Sequence, residues 1–143
     1  DCQEHEFFPP SSSSSSSSGS SVVHAVFRYR IRRPDGSFFT REGGKVLHQP
    51  DPAKPYRLTL RLSPPYLAYE DTWLILGADL RADDPWFVVR YHGANAAWDG
   101  YGGLNVYTRS GSLAPSNEPN VATALARAGL RLDDLQRVDN SCR

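Results

Sequence analysis

The chain has 143 residues, 39% of them hydrophobic and 22% charged, the make-up of one globular domain with a modest core. Its 16 acidic and 16 basic side chains cancel, so no broad positive field argues for nucleic acid, and no apolar run approaches a membrane-spanning length. A soluble single domain over residues 1–143 is expected. The chain starts at Asp1 and holds no methionine, which suggests a mature product or excised domain with any targeting peptide out of view.

Cys2 and Cys142 are the only cysteines and sit at opposite ends. That placement suits a disulfide joining the termini in an oxidising compartment; two unpaired thiols are the alternative. On the chain-entropy model so long a loop contributes roughly 4 to 5 kcal/mol. Residues 11–21 form a serine run interrupted only by Gly19, with nothing to bury, and read as a disordered loop between strands.

From Val22 to Arg33 the pattern alternates, with Val23, Ala25, Phe27, Tyr29 and Ile31 on one face and His24, Arg28, Arg30 and Arg32 on the other. Pro34-Asp35-Gly36-Ser37 supplies turn chemistry, and Phe38 to Leu47 returns as the hairpin partner. After a proline-rich loop, Tyr56 to Leu62 alternates again and stops at Ser63-Pro64-Pro65. Tyr66 to Ala78, Trp86 to His92 and Gly102 to Ser110 read as three further strands. Trp98-Asp99-Gly100-Tyr101-Gly102-Gly103, with three glycines in six residues, reads as a tight turn needing positive backbone angles. Only beyond Pro115 does the period become helical, through Val121, Ala124, Leu125 and Ala128, with Gly129 as the stop. Closely spaced strands without intervening helices mean an antiparallel sandwich or barrel, and a single late helix is the element order of a lipocalin.

The stretches Asp1–Phe7, Arg30–Arg41, Tyr69–Trp73, Ala97–Gly103 and Asp139–Cys142 together resemble the lipocalin domain of the violaxanthin de-epoxidases. The resemblance runs the whole chain and implies an all-β, lipocalin-like antiparallel barrel with one C-terminal helix packed outside, the family's first strand falling upstream of Asp1. It implies an enzyme of the chloroplast thylakoid lumen that reduces violaxanthin, by way of antheraxanthin, to zeaxanthin, with ascorbate as co-substrate. Acidification of the lumen would drive homodimerisation and association with the membrane surface and its galactolipid. The family's cysteine-rich and glutamate-rich flanking regions lie outside this sequence. The usual glutamine and aspartate are replaced by Glu70 and Thr72, and Ala94 and Ala96 stand where the family is more polar. These departures leave a non-catalytic barrel binding a carotenoid or another hydrophobic ligand as the alternative, and an assembly domain as a third.

Read from the residues alone, alternation puts Leu67, Tyr69, Asp71, Trp73 and Ile75 on one face. A carboxyl in so apolar a row has a raised proton affinity if the face points inward, which suits a general acid protonating an epoxide oxygen. A structural aspartate that caps a turn or bonds backbone amides is the alternative. The resemblance puts the catalytic aspartate at Asp71. It also implies substrate contacts from Tyr69, Trp73, Tyr91, Tyr107 and Leu47, and places Gln3 and His5 near the pocket. Cys2 and His5 have half the spacing of a zinc set without a second pair, so no metal site is expected.

Overall fold

Seven strands follow one another along the chain and across the sheet: β1 (Gln3–Phe8), β2 (Val22–Arg32), β3 (Phe38–His48), β4 (Arg57–Leu62), β5 (Tyr69–Asp79), β6 (Trp86–Asn95) and β7 (Trp98–Thr108). Each pairs antiparallel with the next. The computed structural model describes residues 3–8, 22–62, 69–95, 98–138 and 140. The serine run 11–21, both cysteines and the expected strand start at Tyr66 and Leu67 lie outside the described residues.

Local chemistry explains the element ends. In the β2–β3 hairpin the Asp35 carboxylate accepts from the Ser37 amide at 2.8 Å and the Ser37 hydroxyl at 2.7 Å, while Gly36 takes φ +86°. Among the described residues the β3–β4 seam has the fewest paired positions, Leu47 opposite Leu60 and His48 opposite Thr59. A register shift between Ile75 and Gly77 bends β5 against β6. α1 (Glu118–Ala126) begins at Asn117, whose side-chain amide donates to the Asp84 carbonyl at 2.9 Å. It ends where Leu130 N–H reaches the Leu125 carbonyl at 3.2 Å and Gly129, at φ +73°, donates to Ala126 at 3.0 Å, the paired bonds of a Schellman stop.

One strand shows both faces of the sheet buried. Consecutive residues Val88 and Val89 on β6 point to opposite sides and are 0% and 1% exposed. Val89 joins Ala25, Phe27, Leu47, Leu60 and Trp73 in the inner core, while Val88 joins Trp86, Val121, Ala124 and Leu125 in an outer core beneath α1. The chain is therefore a curled antiparallel half-barrel with its helix on the outside, as expected of a lipocalin-like fold. β1 and β7 end the sheet, yet their inward side chains meet, with Tyr107 Oη 2.9 Å from His5 Nδ1.

One expectation is corrected. The glycine-rich string from Trp98 to Gly103 is not a turn but the first half of β7, and the described positive-φ residues are Gly36, Gly111 and Gly129. Its glycines answer to packing: a Cβ at Gly103 would stand 2.6 Å from the Tyr91 hydroxyl, and one at Gly102 3.0 Å from the Tyr91 carbonyl.

Helix docking depends on another glycine, since a Cβ at Gly77 would lie 2.7 Å from Ala124 Cβ. Gly77→Ala should lower unfolding stability by about 1 to 3 kcal/mol. Gly43→Ala, where nothing lies within 4 Å, should stay within about 0.5 kcal/mol of the unmodified chain in the same urea titration.

Candidate active site

Strand register delivers the inner wall. Asp71, Trp73 and Ile75 on β5 stand opposite Leu60 and Leu58 on β4 and opposite Gly93, Tyr91 and Val89 on β6. β7 continues the rows with Tyr101 beside Gly93 and Gly103 beside Tyr91. Asp71, half-buried, accepts a hydrogen bond from the Tyr101 hydroxyl. Gly93 opens the wall at this point: a Cβ there would overlap the Asp71 carboxylate and stand 2.8 Å from the Tyr101 oxygen.

Burial raises the proton affinity of Asp71, and the Tyr101 hydrogen bond and the charges of Lys45 and His92 only partly oppose it. All three of these modulators come from outside the β5 row, His92 from β6. Tyr101 lies in the glycine-rich string, and Lys45 comes from β3, where alternation puts it on the same face as the buried Leu47. Burial lowers the Lys45 ammonium while the nearby Asp71 charge raises it.

Below this polar end the interior is ring upon ring. His5 stacks on Phe27 at 3.8 Å and 6°, Phe27 on Trp73 at 5.7 Å and 18°, Trp73 on Tyr107 at 6.2 Å and 23°, and Tyr107 on Phe87 at 4.6 Å and 13°. Phe7 meets all five edge-on. The Asn105 amide donates to the Tyr107 hydroxyl at 3.3 Å, so the buried phenol has polar partners in Asn105 and His5 while burial holds its own proton tightly.

The family model of the VDE lipocalin domain matches residues 1–140. The chain belongs to that family. It is 36% identical over 143 residues to the chloroplastic violaxanthin de-epoxidases of Nicotiana tabacum, Spinacia oleracea and Arabidopsis thaliana, covering 99% of this chain in each case. It spans 28% of the tobacco and spinach proteins and 29% of the Arabidopsis one, less than a third of the curated relatives it matches.

Of the residues singled out from the sequence, the structure of this VDE lipocalin domain brings Asp71, Trp73 and Tyr91 together on one wall and sets His5, Trp73 and Tyr107 in the ring column. Leu47 is inner core beside Leu60. Gln3 is exposed, opposite Tyr29. Tyr69 opens β5 opposite Leu62 and Asn95. Glu70 faces outward and binds Arg61 at 2.9 and 3.3 Å, so that departure from the family pattern forms a surface ion pair. Sequence reasoning missed Tyr101, Lys45, Gly93, Phe27 and Phe87. The signal available for Tyr101 is its place in the recognisable string, whose glycines suit a turn equally well.

Burial lowers His5 from 6.5 to about 4. The folded chain thus binds fewer protons than the unfolded one between these values, and the His5 contribution to stability, full above pH 6.5, is lost as pH falls towards about 4. His5→Phe retains a stackable ring without the proton. Between neutral pH and pH 4 the unmodified chain should lose up to about 3 kcal/mol more unfolding free energy than this variant; equal losses in denaturant titrations at the two pH values would exclude His5 as the titrating group.

Proposed function

We propose that this chain is the catalytic barrel of a xanthophyll de-epoxidase, with Asp71 as the general acid. The observation that carries the reading is a half-buried carboxyl on the inner wall, its proton affinity raised by burial, held by Tyr101 and flanked by Trp73 and Tyr91. Membership of the VDE lipocalin domain family and likeness to proteins named violaxanthin de-epoxidase support it.

Opening an epoxide needs a proton on oxygen as the C–O bond breaks, and a carboxyl that stays protonated in mild acid is suited to give it. Two reducing equivalents must then enter and the oxygen must leave as water. Ascorbate supplies them in this reading, being oxidised to dehydroascorbate as violaxanthin becomes antheraxanthin and then zeaxanthin. Trp73 and Tyr91 offer flat surfaces for the conjugated chain, and Tyr107, His5 and Leu47 complete the apolar bed. The setting is the chloroplast thylakoid lumen, with the protein peripheral to a galactolipid surface and dimeric at acid pH. In such a dimer two barrels would serve the two ends of one carotenoid.

The sign of the pH effect follows from burial. Because folding raises Asp71 above its unfolded value, its ionised form costs stability at neutral pH, and that cost disappears as pH falls through the folded value. Activity should rise over the same acid range. Violaxanthin turnover with ascorbate and galactolipid at mildly acidic pH should fall roughly a hundredfold or more in Asp71→Asn, while the variant melts no lower than the unmodified protein at pH 7. Pigment binding without turnover in either protein would instead assign the chain to the non-catalytic carotenoid carriers, and a variant of undiminished activity would remove Asp71 from the mechanism.

A further inference from the structure

Of the 16 basic side chains in the sequence only two are lysines, Lys45 and Lys54; the rest are arginines. Lys54 sits on the surface between β3 and β4, its Nζ 3.7 Å from the Asp51 carboxylate. Lys45 has the opposite address. It stands across from the buried Ala25 and two residues from the buried Leu47 on β3, which turns its side chain onto the inner wall. The cross-strand row Leu47, Leu60, Asp71 runs beside it, and Lys45 and Asp71 lie within reach of each other's charge. Two residues earlier on the same face, a Cβ at Gly43 would meet nothing within 4 Å. Free space therefore adjoins the lysine, and Phe27, a member of the ring column, lies directly across from Gly43.

Arginine would serve an ion pair with Asp71 at least as well and is this chain's ordinary cation. What lysine alone offers is an amine that can lose its proton and act as a nucleophile. Burial favours the neutral amine, and the opposing pull of Asp71 vanishes once that carboxyl is protonated.

We propose that Lys45 is an imine-forming site that captures conjugated apolar aldehydes inside the barrel, with Asp71 as its proton donor and counter-ion. The Nζ lone pair adds to the carbonyl carbon, forming a C–N bond and a carbinolamine. Asp71 gives its proton to the carbinolamine hydroxyl, the C–O bond breaks, and water leaves. The product is an iminium paired with the Asp71 carboxylate. Nothing is oxidised or reduced, and the capture does not depend on turnover of an epoxide. The Gly43 space and the rings beneath it set the ligand class: a long, flat, apolar body carrying a terminal carbonyl.

Retinal is a suitable probe. Incubated with the full chain, reduced with cyanoborohydride and mapped by peptide mass spectrometry, it should add the mass of the aldehyde less one oxygen at Lys45. Labelling there should be roughly tenfold or more faster than at Lys54. Before reduction the bound polyene should absorb at longer wavelength than free retinal, as a protonated imine does. Lys45→Arg keeps the charge and should lose the adduct, Lys54→Gln should retain it, and Asp71→Asn should form it more slowly and without the long-wavelength band. Labelling confined to Lys54 or the amino terminus, or no faster at Lys45 than at Lys54 in the unmodified chain, would overturn the proposal without recourse to any variant.

Discussion

His5 and Tyr107 belong to the first and last strands of the described sheet, which share no backbone ladder among the described residues, yet their polar atoms are 2.9 Å apart. Their rings share one column with Phe27, Trp73 and Phe87, contributed by β2, β5 and β6. A flat sheet would leave these rings in water on one side. Curling the sheet lets five rings bury one another, and the area removed from water favours the bend, at roughly 25 cal/mol for each square ångström. The His5–Tyr107 contact closes the curl across the seam, and the inner wall on which Asp71 sits exists only because the curl does.

Glycine decides where that wall has room. Gly103 admits the Tyr91 ring and Gly93 admits the Asp71 carboxylate with its tyrosine partner, so two positions without side chains shape the polar end of the interior. On the outer face Gly77 lets α1 seat on β5, with Arg127 reaching the Leu76 carbonyl at 3.3 Å. The outer face also carries the ordinary charge pairs, such as Arg28 with Glu4, Glu6 and Glu42. Being exposed, these pairs add little to stability. The described titratable groups shifted by burial are those turned inward: His5, Lys45, Asp71 and Tyr107. Among the described residues, the groups whose proton affinity burial changes thus lie on the face that the ring column encloses.

Much of this was legible in the residues. Alternation along Val22 to Arg32 and along Trp73 to Ile75 assigns each side chain to a face without reference to any other strand, because the strand period is two and local. The Asp35-Gly36 turn and the Gly129 helix stop depend on backbone preferences of single residues and were correctly placed. Asp71 stood out because an acid in an aromatic row has few innocent explanations. Trp98 to Gly103 was misread for the converse reason: three glycines fit a turn as well as a crowded strand, and the Tyr91 ring that crowds them is a neighbour in space, not in sequence.

By itself the sequence determined strand faces, the Asp35-Gly36 turn and the Gly129 stop, the late helix and the likeness to a family, all of which rest on local periodicity, on single-residue backbone preference or on shared strings. The tertiary structure alone decided which faces meet. Lys45 and Asp71 are 26 positions apart and Tyr101 and Asp71 are 30 apart, and no local rule couples residues at such separations. Their meeting depends on cross-strand register and on the direction in which the sheet curls, both of which the packing of the whole core fixes at once.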